Sequence, residues 1–318
     1  MVASGAPFGL QLVSLYDPGF WNVKDREGVI ARAVSDPRSF WERVLETTKS
    51  TGVDGVEICF PPASWQSALA AYGSEAGFVA ALESHQLTLA SGFFDEPAAF
   101  SAGILEAETQ REILKQGAAN ARFIAQCGGQ VLVSGMPVLN RRSGTEERFL
   151  DLEYAKRVAD LLNRLGSVVR KEGVELALHT ELGSVFCVRR DIDLFMLLTD
   201  PEYVGFCPDT GQIVLGGGHP IEVLNDHYDR VKIVHWKDAT GRFVPPATES
   251  GSLHPDCRSY WRAVGSGVVD WAGWAQRLRE LDYRGWMILE LDESRDPANE
   301  LSASREFAEQ VLAASYEP

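Results

Sequence analysis

Four apolar runs in the chain end in side chains that can bind a metal or move a proton. They are Leu176-Ala177-Leu178-His179-Thr180-Glu181, Val204-Gly205-Phe206-Cys207-Pro208-Asp209, Val231-Lys232-Ile233-Val234-His235-Trp236-Lys237-Asp238 and Met287-Ile288-Leu289-Glu290-Leu291-Asp292. Each reads as a strand with a buried body and an ionisable C-terminal tip. Alternation along a strand sets His179 and Glu181 on one face, and likewise Ile233, His235 and Lys237. His179, Glu181, Asp209, His235 and Glu290 are therefore expected to converge. A mixture of imidazole and carboxylate ligands suits Mn2+, Zn2+, Fe2+ or Co2+. Without a cation, the same carboxylates would shift one another's pKa values through mutual repulsion.

The neighbours of these tips suggest further roles. Lys237 shares the face of His235 and can hold a carbonyl or enolate oxygen. Asp238 points the other way and is expected to brace a loop. Glu57, in Val56-Glu57-Ile58, projects toward the same place to bind a substrate hydroxyl or orient a neighbour. Trp236 adjoins the site as a candidate substrate wall, and Arg258 is a candidate substrate contact from a long loop. Trp271 and Trp274 have helical spacing on an apolar face and read as core.

These tips require a scaffold that brings several strand ends together. Strands are expected at about residues 8–15, 53–59, 87–94, 130–134, 174–179, 203–208, 231–238 and 286–291. Helices are expected between them at 37–50, 75–84, 103–126, 149–171, 192–198 and 220–228, with a closing helix at 303–313. Alternating strands and helices with right-handed crossovers predict an α/β fold. Eight units close most simply into a (β/α)8 TIM barrel, whose active site lies at the C-terminal mouth of the strands. A doubly wound sheet is disfavoured because no GxGxxG or GxxxxGK[ST] follows the first strand. No composition shift divides the chain, so residues 1–318 are expected to form a single domain. Residues 239–267 form a long Gly/Pro/Ser-containing connection, including His254, Asp256, Arg258 and Tyr260, which reads as a lid or substrate wall.

A formal net charge of -15 argues against a nucleic-acid backbone as partner. No apolar stretch is long enough to span a membrane. The five cysteines, Cys59, Cys127, Cys187, Cys207 and Cys257, form no CxxC pair and read as buried thiols. With no basic-then-apolar leader at the N-terminus, a cytoplasmic protein is expected.

The second half of the chain resembles the xylose-isomerase-like TIM-barrel superfamily, and within it the inosose dehydratase-like branch. The resemblance rests on Leu178-His179-Thr180-Glu181-Leu182-Gly183-Ser184, Asp209-Thr210-Gly211-Gln212, Val234-His235-Trp236-Lys237-Asp238, Val264-Gly265-Ser266-Gly267-Val268-Val269-Asp270-Trp271, Tyr283-Arg284-Gly285-Trp286 and Leu289-Glu290-Leu291-Asp292. It implies one divalent metal ion, Mn2+ foremost, with Co2+, Fe2+, Mg2+ or Zn2+ as alternatives. Asp209, His235 and Glu290 match three ligand positions, and the strand-five ligand is Glu181 or His179. The sequence departs from the pattern at three places. His179 stands where the superfamily often has Glu, Gln212 where many relatives carry His, and Leu291 where the dehydratase branch commonly has Gln.

The resemblance implies a small polyhydroxylated keto substrate and a lyase that dehydrates a cyclic keto-polyol or keto-sugar through an enediolate. His179 or Glu181 would be the base and Lys237 the oxygen-holding group. Alternatives within the superfamily are a sugar isomerase or keto-sugar 3-epimerase, and a lyase that cleaves 3-keto-glycosides, carbon-linked ones included, with a small partner subunit. A non-catalytic sugar-binding barrel is the alternative outside catalysis. Homo-oligomers are common among such proteins.

Overall fold

The computed structural model describes residues 6–138, 150–244, 257–292 and 294–315. Eight parallel strands form one sheet: β1 (Phe8–Gln11), β2 (Gly55–Ile58), β3 (Thr88–Phe94), β4 (Val131–Ser134), β5 (Glu175–His179), β6 (Val204–Cys207), β7 (Val234–Trp236) and β8 (Met287–Leu289). The order around the sheet is β6-β5-β4-β3-β2-β1-β8-β7. Its two ends meet through parallel bridges from Phe206 to Val231 and from Asp209 to His235. The seam that closes this (β/α)8 barrel thus lies at two of the residues on which metal chemistry was expected. Backbone bonds there run from Lys232 N–H to Phe206 O and from His235 N–H to Pro208 O, each 3.0 Å.

The helices are α1 (Arg26–Ser35), α2 (Pro37–Ser50), α3 (Trp65–Tyr72), α4 (Glu75–Ser84), α5 (Glu96–Ala99), α6 (Ala107–Gln126), α7 (Leu152–Lys171), α8 (Arg189–Leu198), α9 (Thr210–Leu215), α10 (Pro220–His227), α11 (Trp271–Glu280) and α12 (Pro297–Ala314). Helix α2 starts where sequence chemistry says it should. Asp36 accepts the Ser39 N–H and Pro37 occupies the first turn, where its missing N–H has no cost. Along α7, Val158, Leu161, Leu162, Leu165 and Val169 form a buried stripe against the sheet. At the base of the barrel, a Cβ on Gly9 would come 2.6 Å from Ile288 Cδ1, and one on Gly55 would come 2.7 Å from the Trp286 ring. Glycine at both positions lets the indole fill the narrow end.

Several boundaries differ from expectation. The first strand stops at Gln11, and Leu12–Leu15 form a 3-10 turn that still buries Leu12 and Leu15. Burial sustained the apolar pattern beyond the strand. Helix α1 buries only Val29 and Ala33 and helix α3 only Ala68, too few to show a period, α9 spans only six residues, and α12 begins at Pro297 rather than near 303. His254 and Asp256 of the long connection lie outside the described residues.

Asp238 pairs with Arg262, and Ala239 with Trp261, in a short antiparallel ribbon. The Asp238 carboxylate accepts N–H bonds from Gly265, Gly267, Val269 and the Trp271 indole at 3.1, 3.0, 3.2 and 2.8 Å. This explains the glycine-rich motif: a Cβ on Gly267 would meet Asp238 Oδ1 at 2.1 Å. Trp236 also faces this side. It is buried, stacks on Trp271 at 4.7 Å and meets Phe8 edge-on. The expected substrate wall is therefore corrected to barrel–helix packing, because alternation turns Trp236 away from the face of His235. Replacing Asp238 with Ala strands these buried donors together. The unfolding free energy should drop by about 3–5 kcal/mol, read from urea denaturation, and a loss below about 1 kcal/mol would show that the loop is held otherwise.

Candidate active site at the barrel mouth

The inward-facing ends of β5 to β8 bring four ligand-capable side chains together. His179, Asp209, His235 and Glu290 are all buried and each offers an atom within 4.8 Å of the others. The His179 ring lies 4.8 Å from that of His235 and edge-on to Phe93 at 5.2 Å. Both nitrogens of His179 and Oδ2 of Asp209 are shut from solvent without a hydrogen-bond partner. His179 Nε2 faces that oxygen at 3.5 Å. Buried polar atoms this close and unsatisfied are costly unless something binds them. Nitrogen and oxygen donors on four strand ends fit a divalent transition metal in both number and type.

Local structure holds each of these groups. Asp209 Oδ1 caps α9 by accepting the Gln212 N–H at 2.7 Å, which leaves Oδ2 for the centre. Thr180 Oγ1 accepts the Asp209 N–H at 3.0 Å, and Thr210 Oγ1 donates to Lys237 O at 2.6 Å, lashing adjacent strand ends together. Glu290 Oε2 lies 2.8 Å from His235 Nδ1, and Glu57 lies 3.2 Å from Nε2. Ser91 in turn donates to Glu57 at 2.6 Å. Glu57 thus orients the imidazole from behind, as carboxylates beyond a metal's direct ligands commonly do. Burial works against a charged His235, yet Cys207, Glu57 and Glu290 hold its pKa well above the ordinary value.

Lys237 is buried beside this group. Its Nζ donates to Glu290 Oε1 at 2.5 Å and to Asp292 Oδ2 at 2.7 Å, and it sits 4.0 Å from the centroid of the Trp261 ring. Burial opposes its charge, but Asp292 and Glu290 outweigh it and raise its pKa. Glu290 is held low despite burial, by Lys237 and His235. Burial and the Glu290 charge push Asp292 up to about 6. Asp292 was not singled out from sequence, although the alternation that pairs His235 with Lys237 also pairs Glu290 with Asp292.

Glu181 does not join the four-residue cluster. The chain leaves β5 at His179 and turns sharply, with Ser184 N–H bonded to Glu181 O and Gly183 at φ +87. The alternation that put His179 and Glu181 on one face ends with the strand. Burial, then the charge of Asp95, push the Glu181 carboxyl up to about 8. Gln212 Oε1 accepts the Leu182 N–H at 2.8 Å and braces the same turn. Arg258 is exposed in the 3-10 turn Arg258–Tyr260.

The family model described as "Xylose isomerase-like TIM barrel" matches residues 45–311. The chain belongs to that family. An inosose dehydratase of Lacticaseibacillus casei is 28% identical over 270 residues, covering 77% of this chain and 86% of the relative. One from Bacillus licheniformis is 26% identical, covering 68% and 79%. Among solved structures, a xylose isomerase-like TIM barrel protein from Mycobacterium smegmatis in complex with magnesium superposes with a TM-score of 0.71 at 19% identity, covering 98% of both chains. The IOLI protein with a bound zinc atom gives 0.68 at 14% identity, covering 98% of this chain and 100% of that one. The inosose dehydratase relatives are enzymes, and this chain is an enzyme too. Among the described residues, no helix is long and apolar enough to cross a membrane.

Asp95, at the end of β3, also went unnoticed in the sequence. Burial lifts its carboxyl from 3.8 to about 6 against the opposing charge of Arg26. A carboxyl raised in the fold is preferentially protonated there. Its contribution to stability is complete below about pH 4 and is lost as pH rises through about 6. Asp95→Asn cannot ionise, so between about pH 4 and 7 it should gain about 1–3 kcal/mol on the wild type. Urea midpoints at both pH values test this, and parallel behaviour of the two proteins would refute it.

Proposed function

We propose that this enzyme is a divalent-metal-dependent dehydratase acting on a cyclic keto-polyol or keto-sugar. The observation that carries the reading is the buried cluster of His179, Asp209, His235 and Glu290 with the Lys237 ammonium beside it. The inosose dehydratase relatives supply the reaction class. A divalent ion held by those four residues would polarise the substrate ketone and stabilise negative charge on its oxygen. The orphaned nitrogens of His179 favour it over Glu181 as the ligand from β5.

With His179 committed to the metal, Glu181 is the group for proton transfer. A carboxyl titrating near 8 is well matched to accepting and returning a proton close to neutral pH. It would remove the proton from the carbon next to the ketone. The C–H electron pair becomes the new C=C bond as the hydroxyl on the next carbon departs, taking up a proton to leave as water. Lys237, kept cationic by two carboxylates, donates a hydrogen bond to a substrate oxygen as charge builds on it. Glu57 keeps the His235 ring in register behind the site. An epimerase would use the same residues and return the proton to the opposite face without loss of the hydroxyl.

Three measurements test this reading. Chelation should abolish turnover of 2-keto-inositol, and re-addition of Mn2+, Co2+ or Zn2+ should restore it with about one metal bound per chain by elemental analysis. The product should be the dehydrated diketone; solvent hydrogen entering the substrate without water loss would replace the dehydratase with the epimerase. Lys237→Met should cut kcat by about 10²–10³-fold with a smaller effect on KM. A variant of near-normal kcat would remove Lys237 from the chemistry.

A further inference from the structure

The metal-binding residues occupy only half of the barrel mouth. On the other half, Gln11 ends β1 on the inward face and is 3% exposed. Its register partner on β2 is Glu57. Strand β1 also pairs with β8 through Leu10 and Leu289, so one more step along that register sets Gln11 beside Glu290. These two neighbours flank the His235 imidazole, Glu290 at Nδ1 and Glu57 at Nε2. Gln11 therefore lies on the rim of the cluster without belonging to it.

The carbonyl oxygen of the Gln11 amide, Oε1, is shut from solvent and has nothing to bond among the described residues. Ser91, the neighbour beyond Glu57, is already spent on the Glu57 carboxylate. Inward positions of such barrels are ordinarily filled by branched apolar side chains, which carry no unmet bonds. A buried amide oxygen without a partner weakens the fold, so packing gives no reason for glutamine here. A ligand does. An amide offers both an acceptor and donors, which is what an alcohol needs, whereas the carboxylates on either side only accept.

We propose that Gln11 is a specificity-determining residue that binds a hydroxyl group of the polyhydroxylated substrate. Its Oε1 accepts the hydroxyl proton, and its Nε2 donates to an adjacent substrate oxygen. The half of the mouth built by β1 to β3 thus reads the hydroxyl pattern of the substrate, and the half built by β5 to β8 carries the chemistry. This assignment rests on the keto-polyol reading given above.

The test is Gln11→Leu, with Gln11→Met as a second variant should the branched side chain fit poorly. If Gln11 serves the ligand, the unliganded variant melts at or above the wild-type temperature. Its kcat/KM for 2-keto-inositol should fall by about 10- to 100-fold, mostly through KM. The deficit should be smallest for the one monodeoxy analogue that lacks the recognised hydroxyl. An undiminished kcat/KM, an equal deficit for every analogue, or a lowered melting temperature in both variants would overturn the assignment. If the wild type turns over no keto-polyol, the functional reading fails, and inositol itself then decides the role of Gln11. The melting-temperature rise it gives the wild type should shrink in the variant; equal rises, or none in either protein, overturn it.

Discussion

Burying charge is the constraint on which the rest of this structure depends. Glu57, Asp209, His235, Lys237 and Glu290 are all essentially removed from solvent at one end of the barrel. A buried charge survives only if a partner and further hydrogen bonds replace the water it loses. Here each group is the partner of the next: Asp292 and Glu290 hold Lys237, Glu290 and Glu57 hold His235, and Ser91 holds Glu57. The barrel closes at the same place, through the bridge between Asp209 and His235. Site and seam are therefore one feature. A shift in the register of β7 would unseat the last strand pairing and the buried charges together.

Lys237 and Asp238 show how one strand end serves two purposes. Lys237 turns into the mouth and meets two carboxylates, whereas Asp238 turns out and gathers the N–H groups of the Gly265–Val269 turn and the Trp271 indole. The ribbon that begins at Asp238 returns with Trp261, whose ring lies over the Lys237 amine. The outward residue thus fixes the segment that covers the inward one. Trp236 belongs to the outward set, and its stack on Trp271 anchors α11 against the barrel.

The family supports dehydration and epimerisation on one scaffold because both begin by removing a proton beside a carbonyl. What separates them is the later fate of the proton and of a neighbouring hydroxyl. Three carboxyls stand around the cluster of His179, Asp209, His235 and Glu290 and not within it: Glu181 on the turn after β5, Asp95 after β3 and Asp292 after β8. Burial raises the pKa of all three, so the mouth holds carboxyls able to exchange protons near neutrality.

The sequence by itself determined the eight strands, their parallel order and the inward positions of Asp209, His235, Lys237 and Glu290. These follow from apolar runs of strand length and from alternation, which are local properties of the chain. It also set the outward role of Asp238. Tertiary structure alone set His179, and not Glu181, beside Asp209, His235 and Glu290, because that placement depends on where β5 stops, and the stop is fixed by Gly183 and by bonds to residues far along the chain. Only the fold could show that Trp236 packs on Trp271, that Asp292 completes the clamp on Lys237, and that Gln11 stands between two carboxylates. Each of those is a contact across strands or layers, and no local pattern encodes which distant neighbour a side chain will meet.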